Sequence, residues 1–179
     1  LLLLAVMVLA LSLNGQARPE YNISAGTNGA IGTEEHQSVE YFGRRLEEES
    51  NGRFQVDCFS MEIGDAMAQI EGVMGGIQQV YIGELTWFAN LHKDLNIAGL
   101  AFQFKNEDHL LKFLHSEWGQ RIWEGIRTQH GVKVLDYTGL RAPRVTLSKR
   151  PLESLADVQG LKMRVPEIPI YMRVWDHLG

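Results

Sequence analysis

The chain has 179 residues, a formal charge of −5, 45% apolar and 22% charged residues, the profile of an ordinary globular protein. This mild acidity argues against a nucleic-acid partner, since a phosphate backbone calls for clustered Lys and Arg. It leaves room for a small anionic ligand, because one or two Arg can hold a carboxylate whatever the net charge. Cys58 is the single cysteine, which excludes an internal disulfide and a Cys-rich metal site.

Leu1 to Leu13 is apolar except for Ser12 and is followed by Asn14-Gly15-Gln16-Ala17. An apolar run this short falls below the roughly 20 residues of a membrane span. Small residues at positions −3 and −1 of a cut after Ala17 complete the pattern of a secretory signal peptide, residues 1–17. The basic leading region and the initiator Met are missing from this pattern. No cysteine follows the signal region, so the expected product is free in the periplasm rather than lipid-anchored.

Downstream, strand and helix signals alternate. Tyr21 to Ala25 reads as a strand, and a loop from Gly26 to Gly32 follows it. The spacing of Val39, Phe42 and Leu46 predicts an amphipathic helix over Glu34 to Ser50, stopped by Asn51-Gly52. Phe54 to Ser60 alternates like a strand, with Cys58 as a small buried hydrophobe. Asp65 is a suitable N-cap for a helix from Ala66 to about Met74. Gly75-Gly76 then breaks the chain before a strand over Gln78 to Gly83. An apolar run from Leu95 to Phe102 leads into one charged helix over Glu107 to His130. Strands are expected over Val132 to Tyr137, Arg144 to Ser148 and Leu161 to Val165, with a turn at Ser154 to Asp157. A last amphipathic helix starts near Pro169. The pattern is that of an α/β protein with a substantially parallel sheet.

Recognisable catalytic signatures are missing. The Gly26 to Gly32 loop lies where phosphate loops lie, yet it is neither G-x-G-x-x-G nor a P-loop. It reads as a flexible loop presenting N–H groups at a helix N-terminus, a place that suits an anion. The six histidines match no metal spacing, and H-E-x-x-H and G-x-S-x-G do not occur. No cofactor, metal or catalytic residue is therefore expected. Arg144 and Arg164 stand apart because each lies in a strand-like stretch. If Leu161, Met163 and Val165 point inward, alternation turns Arg164 outward.

Arg150-Pro151-Leu152, Ala156-Asp157-Val158 and Gly160-Leu161-Lys162-Met163-Arg164-Val165-Pro166 together closely resemble a signature of the solute-binding subunits of TRAP transporters, the C4-dicarboxylate-binding family. Glu49 to Gly52, Ile63-Gly64-Asp65 and Ala101 to Phe104 resemble further family segments in the same order. The resemblance implies a two-lobed periplasmic-binding-protein-like fold, with a first lobe over residues 18–138 and the start of a second over 139–179. The family continues beyond this point with the rest of the second lobe, so the chain reads as a fragment of a longer protein.

The same resemblance implies a receptor, not an enzyme, that captures a small organic-acid anion and delivers it to a TRAP-type membrane permease. The family's carboxylate-binding Arg maps onto Arg164, and Arg144 maps onto its assisting Arg. Asn28 maps onto a loop Asn, and Glu84 onto an acidic residue that accepts from ligand hydroxyls. Asp65 and Trp87 are weaker ligand-binding candidates. An extracytoplasmic ligand sensor is the alternative within the same architecture, and a periplasmic hydrolase is the third reading.

Overall fold

The computed structural model describes residues 18–139 and 145–179. The expected signal peptide and Arg144 lie outside the described residues. The chain divides into two compact units between Gly83 and Glu84, and each is described by itself.

The first unit is a three-stranded parallel sheet with two crossover helices. Strand β1 spans Tyr21–Gly26, helix α1 Glu34–Glu49, β2 Phe54–Phe59, α2 Ala66–Met74 and β3 Val80–Tyr81. The sheet order is β2-β1-β3. Local chemistry explains the helix boundaries. Thr33 caps α1 by accepting from the His36 N–H, and Glu34 and Glu35 place negative charge in the first turn, where the helix dipole favours it. Asn51 and Gly52 both take positive φ, which ends α1 and turns the chain into β2. Asp65 caps α2 by accepting from the Ala68 N–H at 2.9 Å, as its sequence position predicts. Ala25, Val39, Ala66 and Ile70 form the buried apolar centre of this unit. The expected strand at Gln78 to Gly83 contracts to two paired residues, because only Val80 and Tyr81 lie opposite the end of β1.

Register brings the three strands to a level finish. Gly26 pairs with Phe59 of β2 and with Tyr81 of β3. The loops that follow β1, β2 and β3 therefore leave the sheet along one edge.

The second unit opens with 3-10 turns over Leu85–Asn90 and Lys93–Gly99, followed by α3 (Glu107–His115), α4 (Glu117–His130) and α5 (Pro169–Leu178). The single helix expected over 107 to 130 is two helices, because Ser116 interrupts it. The Ser116 hydroxyl donates to the Phe113 carbonyl at 2.6 Å and accepts from the Gly119 N–H at 3.3 Å. Leu95, Leu114, Ile122 and Ile126 are buried, and Trp123 stacks on Tyr137 with centroids 5.0 Å apart. A third 3-10 turn at Leu155–Asp157 is closed by a capping box in which Asp157 accepts from the Ser154 N–H.

The expected strands over 132–137, 144–148 (described from 145) and 161–165 are not in a ladder among the described residues. Alternation marks which side chains face inward, but a strand exists only when a neighbour accepts its hydrogen bonds. At 161–165 the alternation itself is present. Leu161, Met163 and Val165 are half-buried, while Lys162 and Arg164 are exposed.

Candidate functional site

In an open parallel sheet, ligands bind beyond the carboxyl ends of the strands, at the point where the chain's progress across the sheet reverses. The order β2-β1-β3 places that point between β1 and β3. Two polar side chains meet there. The Tyr81 hydroxyl, from the end of β3, donates to Asn28 Oδ1 in the loop after β1, at 2.6 Å. Burial pushes the Tyr81 hydroxyl pKa up, and the charges of Asp65 and Glu35 add to the rise. It is therefore a neutral donor throughout the physiological range. Gly83 lies against this ring, and a Cβ there would run into the Tyr81 side chain, so a glycine is needed two residues beyond it.

Behind this pair sits a buried amide pair that the sequence reading did not single out. Gln69 on α2 is 1% exposed and Gln78 is 5% exposed. Gln69 Nε2 lies 2.9 Å from the Thr27 carbonyl, 3.1 Å from that of Ser60 and 2.9 Å from that of Gly64. Its Oε1 accepts from Gln78 Nε2 at 3.3 Å, and Gln78 Nε2 also donates to the Val80 carbonyl at 2.7 Å. A Cβ at Gly26 would collide with both amides, which accounts for glycine at the end of β1. The sequence carries no clear advance signal for this pair, since Gln69 lies within helix α2 and Gln78 just before β3.

The Gly26 to Gly32 loop differs from the anion cradle expected of it. Thr27 is buried, its hydroxyl accepts from the Gly29 N–H at 3.2 Å, and Thr33 serves the first turn of α1. Glu34 and Glu35 already supply negative charge at that helix end. On the neighbouring turn, Glu62 accepts from the Ser60 N–H at 3.0 Å and from the Ser60 hydroxyl. These bonds hold its carboxyl below the usual glutamate range. Asp65 is exposed and its carboxylate is engaged as the α2 cap.

The remaining candidates belong to the second unit. Glu84 is half-buried, and Thr86 donates to its Oε2 at 3.5 Å. Trp87 is half-buried in the turn that Glu84 precedes. The methyl of Thr86, Ile170 and Tyr171 surround Gly99, so the Glu84–Trp87 turn and the start of α5 share a packing neighbour. Arg164 precedes α5 in the 161–166 segment and is exposed, and among the described residues no carboxylate pairs with it. The structure thus brings Asn28 and Asp65 to one edge of the first unit, around Tyr81. It places Glu84, Trp87 and Arg164 in the second.

Among the described residues no group of three or more His, Cys, Asp or Glu side chains is placed to hold a metal ion. No helix among them is long and apolar enough to cross a membrane.

Comparison with known proteins agrees with this architecture. Residues 25–179 match the family described as bacterial extracellular solute-binding protein, family 7. A solute-binding protein of Roseobacter denitrificans is 30% identical over 146 residues, which cover 80% of this chain and 44% of that protein. The sialic acid-binding periplasmic protein SiaP of Vibrio cholerae is 26% identical over 164 residues, 91% of this chain and 51% of that protein. A crystal structure of a TRAP periplasmic solute-binding protein from Roseobacter denitrificans, with bound L-galactonate, superposes with a TM-score of 0.78 at 28% identity. It covers 91% of this chain and 54% of that one. The chain spans about half the length of the curated relatives it matches. The family match runs from the end of β1 to the last residue, and with the α/β fold it establishes that the chain belongs to the family 7 extracellular solute-binding proteins of TRAP transporters.

Proposed function

We propose that this chain carries ligand-binding residues of a periplasmic receptor that captures a small organic-acid anion and hands it to a TRAP-type membrane permease. The observation that carries the proposal is the exposed guanidinium of Arg164. It projects from the Leu161 to Pro166 segment opposite the half-buried Leu161, Met163 and Val165. A guanidinium offers paired donors in a planar fork that matches a carboxylate, which an ammonium does not. Arg144 assists from its own segment in this reading. Residues 18–138 supply the first lobe and 139–179 enter the second.

Within the organic acids, a hydroxylated sugar acid suits the first unit better than a bare C4-dicarboxylate. Glu35 and Asp65 flank Tyr81 and Asn28. A second carboxylate at that edge would meet their charge, whereas hydroxyl groups would find acceptors. In the second unit, Glu84 offers an acceptor and Trp87 a flat apolar face. The relatives bind ligands of this kind, since one is named for sialic acid and the other crystallises with L-galactonate.

Hydrogen bonds to a charged group contribute about 1.5–3 kcal/mol each, and a micromolar complex needs about −8 kcal/mol in all. Two bonds from Arg164 therefore supply a large part of the affinity. The test is a thermal-shift screen of the intact protein against aldonates, uronates, sialic acid and succinate, since a ligand of the folded state raises the melting temperature. Sugar acids should raise it, Arg164→Ala should abolish the rise, and Arg164→Lys should weaken it strongly. An unchanged shift in Arg164→Ala removes that residue from the site. A rise with succinate alone overturns the sugar-acid preference.

A further inference from the structure

The carboxyl edge of the sheet holds its polar pair by an internal frame. Gln69 and Gln78 are both buried, and their amides bond to each other. One end of the frame binds the Thr27 carbonyl, whose peptide group leads directly into Asn28. The other binds the Val80 carbonyl, whose peptide leads directly into Tyr81. Those two peptides carry the partners of the Tyr81 to Asn28 hydrogen bond. Gln69 also reaches Ser60 and Gly64, which ties the turn after β2 to the same point. All three strand ends are thus connected through two side chains. An apolar pair would fill a similar volume but leave these carbonyls without their donors, so the amides fix the geometry of the strand ends as well as filling space.

We infer that Gln69 and Gln78 are positioning residues for ligand binding, setting the spacing and orientation of Asn28 and Tyr81 at the sheet edge without touching the ligand. This rests on the proposed role of Asn28. Hydrogen bonds decay in effect beyond a few tenths of an ångström and tens of degrees, so a slack frame lowers affinity while the fold survives.

The test is a double-mutant cycle in the intact protein with galactonate and glucuronate as titrated probes. Gln78→Met cuts the amide-to-amide bond and the bond to Val80, and Gln69→Met is the more disruptive second variant. Circular dichroism checks that each folds. Either variant is expected to weaken the probes at least tenfold in the wild-type background and clearly less in the Asn28→Ala background, where only the part of its effect that passes through Tyr81 remains. Amide exchange of residues 27–32 without ligand should rise at least tenfold, while that of α4 stays unchanged. Wild-type affinity in the folded Gln78→Met variant overturns the inference. So does an equal loss in both backgrounds, which would mark a general structural role. Wild-type affinity in Asn28→Ala overturns the site assignment itself, and with it the inference. Unchanged exchange in the loop overturns the frame whether or not a probe binds.

Discussion

Glu62 shows how one side chain couples the sheet edge to pH. Its carboxylate accepts from both the N–H and the hydroxyl of Ser60, which is 3% exposed. These bonds lower its pKa below the ordinary glutamate value of 4.5. A depressed folded value means that the unfolded chain binds the proton more readily. The stabilisation is therefore present above the ordinary value and is lost as pH falls through the folded one. Glu62→Gln should remove this part of the acid sensitivity. The wild-type urea midpoint should fall more steeply than the variant's between pH 5.5 and pH 3. Parallel slopes would show that the carboxylate contributes nothing to acid unfolding.

Ser116 joins two helices with one hydroxyl, so its removal acts on both. Losing an N-cap costs about 0.5–2 kcal/mol, and here the C-terminal bond to Phe113 goes as well. Ser116→Ala should lower stability by about 1–2 kcal/mol in urea unfolding, and a change below about 0.3 kcal/mol would deny the cap its role. Ser116 also marks a limit of the sequence. The helical period continues through 107 to 130, and periodicity alone does not reveal that a cap sits in the middle. In contrast, β1, α1, β2 and α2 were legible almost to the residue, because Asn51-Gly52 and Asp65 set their limits locally. The Gln69–Gln78 frame was not legible, since its partners are backbone carbonyls brought together by the sheet. The exposure of Arg164 followed from alternation, while the role proposed for it rests on the motif around it.

Across the described residues, the parallel ladder and the segments outside any ladder make different demands. β1 is hydrogen-bonded on both sides, to β2 along its full length and to β3 at its end. Residues 132–137 and 161–165 belong to no helix and no ladder among the described residues. Leu135 and, in the neighbouring stretch, Val145 and Leu147 are largely exposed. Apolar side chains on unpaired extended chain are what a sheet edge presents to a partner. Protection from hydrogen exchange follows the hydrogen-bonded core, and segments with few buried contacts open first. In the 179-residue chain, amides of β1 should therefore exchange slowest and those of 132–137 and 161–165 orders of magnitude faster. Fast exchange in β1 would dismiss the sheet as the stable centre of the first unit. Slow exchange at 161–165 would mean that the Arg164 segment is already held as a strand. Arg164 would then be fixed before any ligand arrives, rather than being ordered by the carboxylate it is proposed to bind.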